Sequence, residues 1–213
     1  MNPERKLQTY VVTATVFVMY ALITNVLPMI SGLSWIPSGL LAIASTVGTY
    51  HLLSTGLDYL SRRNSKVMKH ILGPSYLHGT WRGSFSVKDH GSVTTVEHFE
   101  QTLSELKIRG WAFLKDGSTY SQWRSTAVSI NAPDGSLTFA YDCDSYYSDS
   151  PSFNGIALFQ FDRTGVHRAP TDLYGYTADL DGKPDDRFEN RMKKVSESLV
   201  KFEEVLVDGD ENA

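Results

Sequence analysis

With 213 residues, 20 Lys and Arg against 24 Asp and Glu, and a formal charge of −4, the chain lacks the basic footprint of a sequence-independent binder of nucleic-acid polymers. A few arginines in a shielded pocket would still suffice for a small anionic ligand. The single cysteine, Cys143, permits no internal disulfide, as expected in a reducing compartment.

The charge is unevenly divided. Residues 1–72 carry six Lys and Arg against two acids, a balance of +4, and the remainder carries 14 against 22, or −8. From Leu7 to Leu57 there is no Asp, Glu, Lys or Arg. Within that stretch Tyr10–Ile30 and Pro37–Leu57 are each long enough to cross a hydrocarbon core, which takes about 20 mostly apolar helical residues. Trp35, in the short uncharged connection, suits the headgroup level. Arg5 and Lys6 before the first span, and Arg62, Arg63, Lys66 and Lys69 after the second, place both termini on the cytoplasmic side of an inner membrane. A cleaved signal segment, the competing reading, is disfavoured because the first run is longer than a signal core and a second run follows at once. His51, inside the second run, is either an intramembrane functional group or a side chain reaching the interface. Ser38, Ala42, Ser45, Thr49, Leu52 and Gly56 share one face of the second helix, and five of the six are small. Such a face packs helices closely, either against the first span or against other copies in a membrane assembly.

A polar, basic extension from Asp58 to Ile71 ends at Gly73-Pro74, where Pro stops a helix. From His78 the period changes to two. Gly79–Val87 alternates Trp81, Gly83, Phe85 and Val87 with Thr80, Arg82, Ser84 and Ser86, a half-buried strand. Further strands are expected over Val93–Leu103, Glu105–Leu114, Tyr120–Ile130, Ser136–Cys143, Gly155–Phe161 and Asp172–Leu180. Asp116-Gly117 is a hairpin signal. Regular turns point to an antiparallel meander closed into a barrel of seven or eight strands, since closure removes exposed edges. Phe188, Met192, Val195, Leu199, Phe202 and Leu206 recur at helical spacing and predict an amphipathic helix across the barrel. The alternative is a closing strand from Asn190 to Val200. The expected architecture is a membrane protein with a two-helix transmembrane hairpin (1–72), an all-β antiparallel small barrel with a C-terminal amphipathic helix (73–207), and an acidic tail (208–213).

No phosphate loop, HExxH, cysteine pair or nucleophile elbow is present, and no acid, base and nucleophile assemble by spacing, so no catalytic residue and no cofactor is expected. Asp142, Asp144 and Asp149, and Asp179, Asp181, Asp185 and Asp186, do not follow a calcium loop and read as solvated turns rather than a metal site. What stands out is Trp beside Arg. Trp81-Arg82, Arg109-Gly110-Trp111 and Trp123-Arg124, with Tyr141, Tyr174 and Tyr176, form a candidate ligand set in which rings stack bases and Arg pairs phosphate. The opposing reading is that strand neighbours face opposite ways, so one of each adjacent pair belongs to the core.

Two N-terminal apolar runs, a basic juxtamembrane stretch and a strand-rich domain opening on His78-Gly79-Thr80-Trp81-Arg82-Gly83-Ser84-Phe85 resemble the two-transmembrane β-barrel effectors of CBASS antiphage defence, the CD-NTase-associated membrane effectors. The resemblance covers almost the whole chain. It implies a barrel that binds a cyclic dinucleotide made by a partner nucleotidyltransferase, and membrane helices that then self-associate and disrupt the lipid bilayer. Two other expectations stand beside it. A Gly-x-Trp opening also resembles lipocalin-like barrels and a tethered carrier of an apolar ligand, which an apolar, Arg-free pocket would favour. A protein-interaction module would show an exposed apolar patch on the barrel wall.

Overall fold

The computed structural model describes residues 3–25, 38–87, 91–147, 152–161, 168–180 and 187–207. Contacts divide the chain into two compact units, Met1–Ile71 and Leu72–Ala213. In the first, α1 (Pro3–Asn25), α2 (Ser38–Arg63) and most of the short α3 (Ser65–Leu72) are helical. Burial follows Val11, Thr15 and Met19 along α1 and Thr49, Leu53, Leu57 and Ser61 along α2, each at steps of four. Thr49 Oγ1 lies 3.8 Å from Met19 Sδ, and Tyr10 stacks on His70 at 6.2 Å between centroids.

Among the described residues no helix is long and apolar enough to cross a membrane. This overturns the expected transmembrane hairpin, and with it the multi-pass inner-membrane localisation. Helices of 23 and 26 residues have the length, and polar side chains dilute their apolar character. In α1 Thr15, Thr24 and Asn25 turn their polar groups back onto the carbonyls of Val11, Tyr20 and Ala21, and α2 is interrupted by Ser, Thr, Gly and His51. The expected assembly face is divided as well. Thr49 is on the buried side of α2, whereas Leu52 and Gly56 are exposed. The side chains of Ser38, Ala42 and Ser45 lie outside the described residues, as do Trp35 and the acidic tail.

The second unit is a closed antiparallel up-and-down barrel, each strand paired with the next and the last with the first. Its strands are β1 (Gly79–Val87), β2 (Gly91–Gln101), β3 (Leu106–Phe113), β4 (Thr119–Asn131), β5 (Ser136–Ser145), β6 (Ser152–Phe161), β7 (Asp172–Asp179) and β8 (Arg187–Ser196). One end is filled. Trp81, Phe99, Ile108, Leu137, Phe159 and Leu173 pack there with Leu77, under a 3-10 turn at Gly73–Ser75. The Gln101 side chain ties this plug to the barrel: Oε1 accepts from Leu77 N at 2.7 Å and His78 N at 3.1 Å, and Nε2 donates to Ser75 O at 2.7 Å. Trp81 Nε1 donates to Leu77 O at 2.8 Å. Lys194 Nζ lies 4.7 Å from the Tyr76 ring centroid and 5.1 Å from that of Trp81.

The C-terminal helix expected from Phe188 onward is instead β8. Phe188, Asn190, Met192 and Lys194 are its less exposed positions and Arg187, Glu189, Arg191 and Lys193 its exposed ones, an alternation of two that the inward Asn190 and Lys194 disguise. Pairing with β7 and β1 covers two sheet edges at once. Beyond it the chain crosses outside the barrel, where Thr80 Oγ1 donates to Ser198 O at 2.8 Å and accepts from Val200 N at 2.9 Å. The helix that does form, α4 (Phe202–Val207), is one of the elements of an outer cluster in which Val205 joins Val96 and Phe113, with Trp111 and Phe202 packed against them.

Candidate ligand-binding site in the barrel lumen

The unfilled end of the barrel holds a cavity of about 240 Å³. Phe85 of β1, Tyr120 and Trp123 of β4, Phe139 and Tyr141 of β5, Phe153 of β6 and Phe188 of β8 supply its aromatic walls. Two glycines on neighbouring strands make room for these rings. Gly110 of β3 pairs with Trp123, and Gly155 of β6 pairs with Tyr141. A Cβ at either would overlap the partner's ring, so each aromatic lies across its neighbour's backbone.

Polar groups enter from five strands: Glu97 from β2, Ser121 from β4, Ser145 from β5, Thr177 and Asp179 from β7, and Asn190 from β8. Glu97 is 2% exposed. Burial pushes its carboxyl up to about 8, against the opposing effect of the Trp123 indole donating to it, so at neutral pH it is mostly the uncharged acid. Burial also holds the Tyr141 phenol above its ordinary range, with the Asp179 charge adding to the effect. The Cys143 thiol is pushed up to about 12, chiefly by burial, which makes it inert rather than nucleophilic. Glu97 Oε2, Asn190 Oδ1 and Thr95 Oγ1 are buried with no hydrogen-bond partner. Unsatisfied buried polar atoms are rare in folded proteins, because each costs about 1–3 kcal/mol when left unpaired. Among the described residues, no Lys or Arg lines the cavity.

The sequence-predicted ligand set is scattered by strand geometry. Only Trp123 and Tyr141 line the cavity. Trp81 is fully buried in the filled end. Arg109 faces outward and pairs with Glu100, and Arg124, its side chain 78% exposed, lies 3.8 Å from Asp142. Trp111 is on the outer wall, its ring centroid 3.9 Å from that of Phe202. Tyr176 carries the Arg187 guanidinium 5.1 Å from its ring centroid. Tyr174, also on the outer wall, borders a second concavity of about 790 Å³ with Arg82 of β1 and Arg191 and Lys193 of β8. Among the described residues no cluster of His, Cys, Asp and Glu is placed to hold a metal ion; Asp149, Asp181, Asp185 and Asp186 lie outside them.

Sequence reasoning missed Glu97 and Asn190. The signal for the first was present: Glu97 shares the parity of Val93, Thr95 and Phe99 on one strand, an acid in a row that otherwise faces the core. The second was hidden by the helical reading of its segment. Compared with known proteins, the chain matches no family model and no curated protein sequence.

Proposed function

We propose that the barrel is a binding module that holds a small, flat, largely apolar molecule in its lumen. The observation that carries this is the one-ended aromatic cavity with buried acceptors, Glu97 Oε2 and Asn190 Oδ1, that no protein group satisfies. An eight-stranded barrel is just wide enough to hold one small ligand, and about 240 Å³ falls below the roughly 300–1,000 Å³ of sites for drug-sized molecules. This is the lipocalin-like reading, favoured by a cavity that, among the described residues, no Arg lines. It is tested by titrating the full chain with a solvatochromic naphthalene probe. One probe per chain binds with a fluorescence rise, and Thr177→Phe, which narrows the lumen, abolishes it while circular dichroism stays native. A probe signal indifferent to Thr177→Phe overturns the reading.

A second reading, binding of a cyclic dinucleotide, is favoured by the outer concavity, where Arg82, Arg191 and Lys193 stand beside Tyr174 and phosphates would find cations next to an aromatic ring. The two readings separate by variant. Arg191→Ala with Lys193→Ala abolishes calorimetric binding of a cyclic-dinucleotide panel under this reading and leaves the naphthalene probe unaffected.

A further inference from the structure

The charge of the lumen narrows the class of its ligand, an inference that rests on the lumen being the binding site. Its wall presents two carboxyl groups, Glu97 and Asp179, and seven aromatic rings, and among the described residues no cation. The wall has hydroxyl and amide donors, but among the described residues no cation to balance an anion, and the unsatisfied atoms of Glu97 and Asn190 are oxygens. Aromatic faces are the negative side of the ring quadrupole and attract a cation within about 6 Å of the centroid. We propose that the lumen takes a small flat organic cation, an aromatic amidine or protonated aromatic amine, whose N–H groups donate to Glu97 Oε2 and Asn190 Oδ1 while its ring lies against Trp123 and Tyr141.

Binding then moves a proton. In the empty barrel the carboxyl of Glu97 is held uncharged by burial at neutral pH. A cation beside it favours the carboxylate, since a buried charge is tolerated when paired and hydrogen-bonded. The proton of Glu97 leaves for the buffer, the ligand's N–H groups take its place as donors, and no bond in the ligand changes. The titratable side chains lining the same cavity are Tyr120 of β4, Tyr141 and Cys143 of β5 and Asp179 of β7. None of these is a cation that would compete with the ligand. The β8 cation Lys194 is turned to the filled end, against Tyr76 and Trp81.

The test is calorimetry on the full chain with benzamidinium, neutral benzamide and anionic benzoate, three molecules of nearly one shape. Benzamidinium is expected to bind at least tenfold tighter than either. At pH 7 most of one proton is released per ligand, read from the dependence of the heat on buffer ionisation enthalpy. Its affinity rises about tenfold from pH 6 to pH 7 and levels off above pH 8. Glu97→Gln abolishes the proton release and the pH dependence and weakens benzamidinium at least tenfold, while benzamide binding is kept. Equal affinity for the three molecules, or benzamidinium binding without proton release, overturns the proposal with the lumen site intact. If none of the three binds and the naphthalene probe also fails to respond to Thr177→Phe, the lumen reading itself falls.

Discussion

Glu97 concentrates the tension in this molecule. An acid whose carboxyl is raised from 4.5 to about 8 by burial binds more protons folded than unfolded across that interval, so the stability of the empty chain falls as pH rises from about 4.5 and levels off above about 8. Chemical denaturation at pH 5, 7 and 9 is expected to show this decline, amounting to several kcal/mol, and Glu97→Gln is expected to flatten it. A parent curve that rises over the same range would mean that Glu97 is charged and paired in the folded state. Arg109 and Arg124 behave oppositely. Exposed ion pairs of their kind contribute about 0–1 kcal/mol, which fits their place on the outer wall rather than in the site.

Among the elements, the plug at the filled end depends on one side chain. Gln101 satisfies two backbone donors and one carbonyl that a 3-10 turn and an extended segment leave buried at the mouth. Gln101→Ala strands all three groups at about 1–3 kcal/mol for each that water does not reach. Thermal unfolding should therefore drop by roughly 10 °C or more, at the 2–8 °C expected per kcal/mol for domains of this size range, and amide protection at Leu77 and His78 should be lost. An unchanged melting temperature would show that the turn holds without its clamp.

At the scale of the whole barrel, closure is the decisive contact. Thr80 pairs with Ser196 and Ser84 with Arg191, joining the first strand to the last, and such long-range pairing forms late and slowly. A chain ending at residue 201 keeps all eight strands and loses α4 and residues 208–213, exposing Trp111, Phe113 and Val96. It is expected to stay folded, about 1–4 kcal/mol less stable, with red-shifted tryptophan emission. A chain ending at residue 186 lacks β8 and exposes the edges of β1 and β7. It should aggregate on size-exclusion chromatography. A monomeric, cooperatively folding product of that second truncation would refute the closure argument.

The alternation of side chains and the spacing of turns were enough to determine the meander. A strand's two faces are written in consecutive residues, and turns such as Asp116-Gly117, where Asp116 Oδ1 accepts from Ser118 N at 2.9 Å, are local chemistry. The apolar runs near the N-terminus were equally plain, and the helices over much of them followed, but whether a helix is apolar enough to span a bilayer depends on where it stops and which polar groups it keeps. The structure decided three further things. It made the segment from Arg187 to Ser196 a strand, because two unpaired edges outweigh a helical stripe. It sent Trp123 inward and Arg124 outward, so that the Trp-Arg pairs read as one pocket in the sequence were split between lumen and surface. And it brought Glu97 and Asn190, 93 positions apart in the chain, to one cavity, a proximity that only barrel closure creates and that no local pattern of residues encodes.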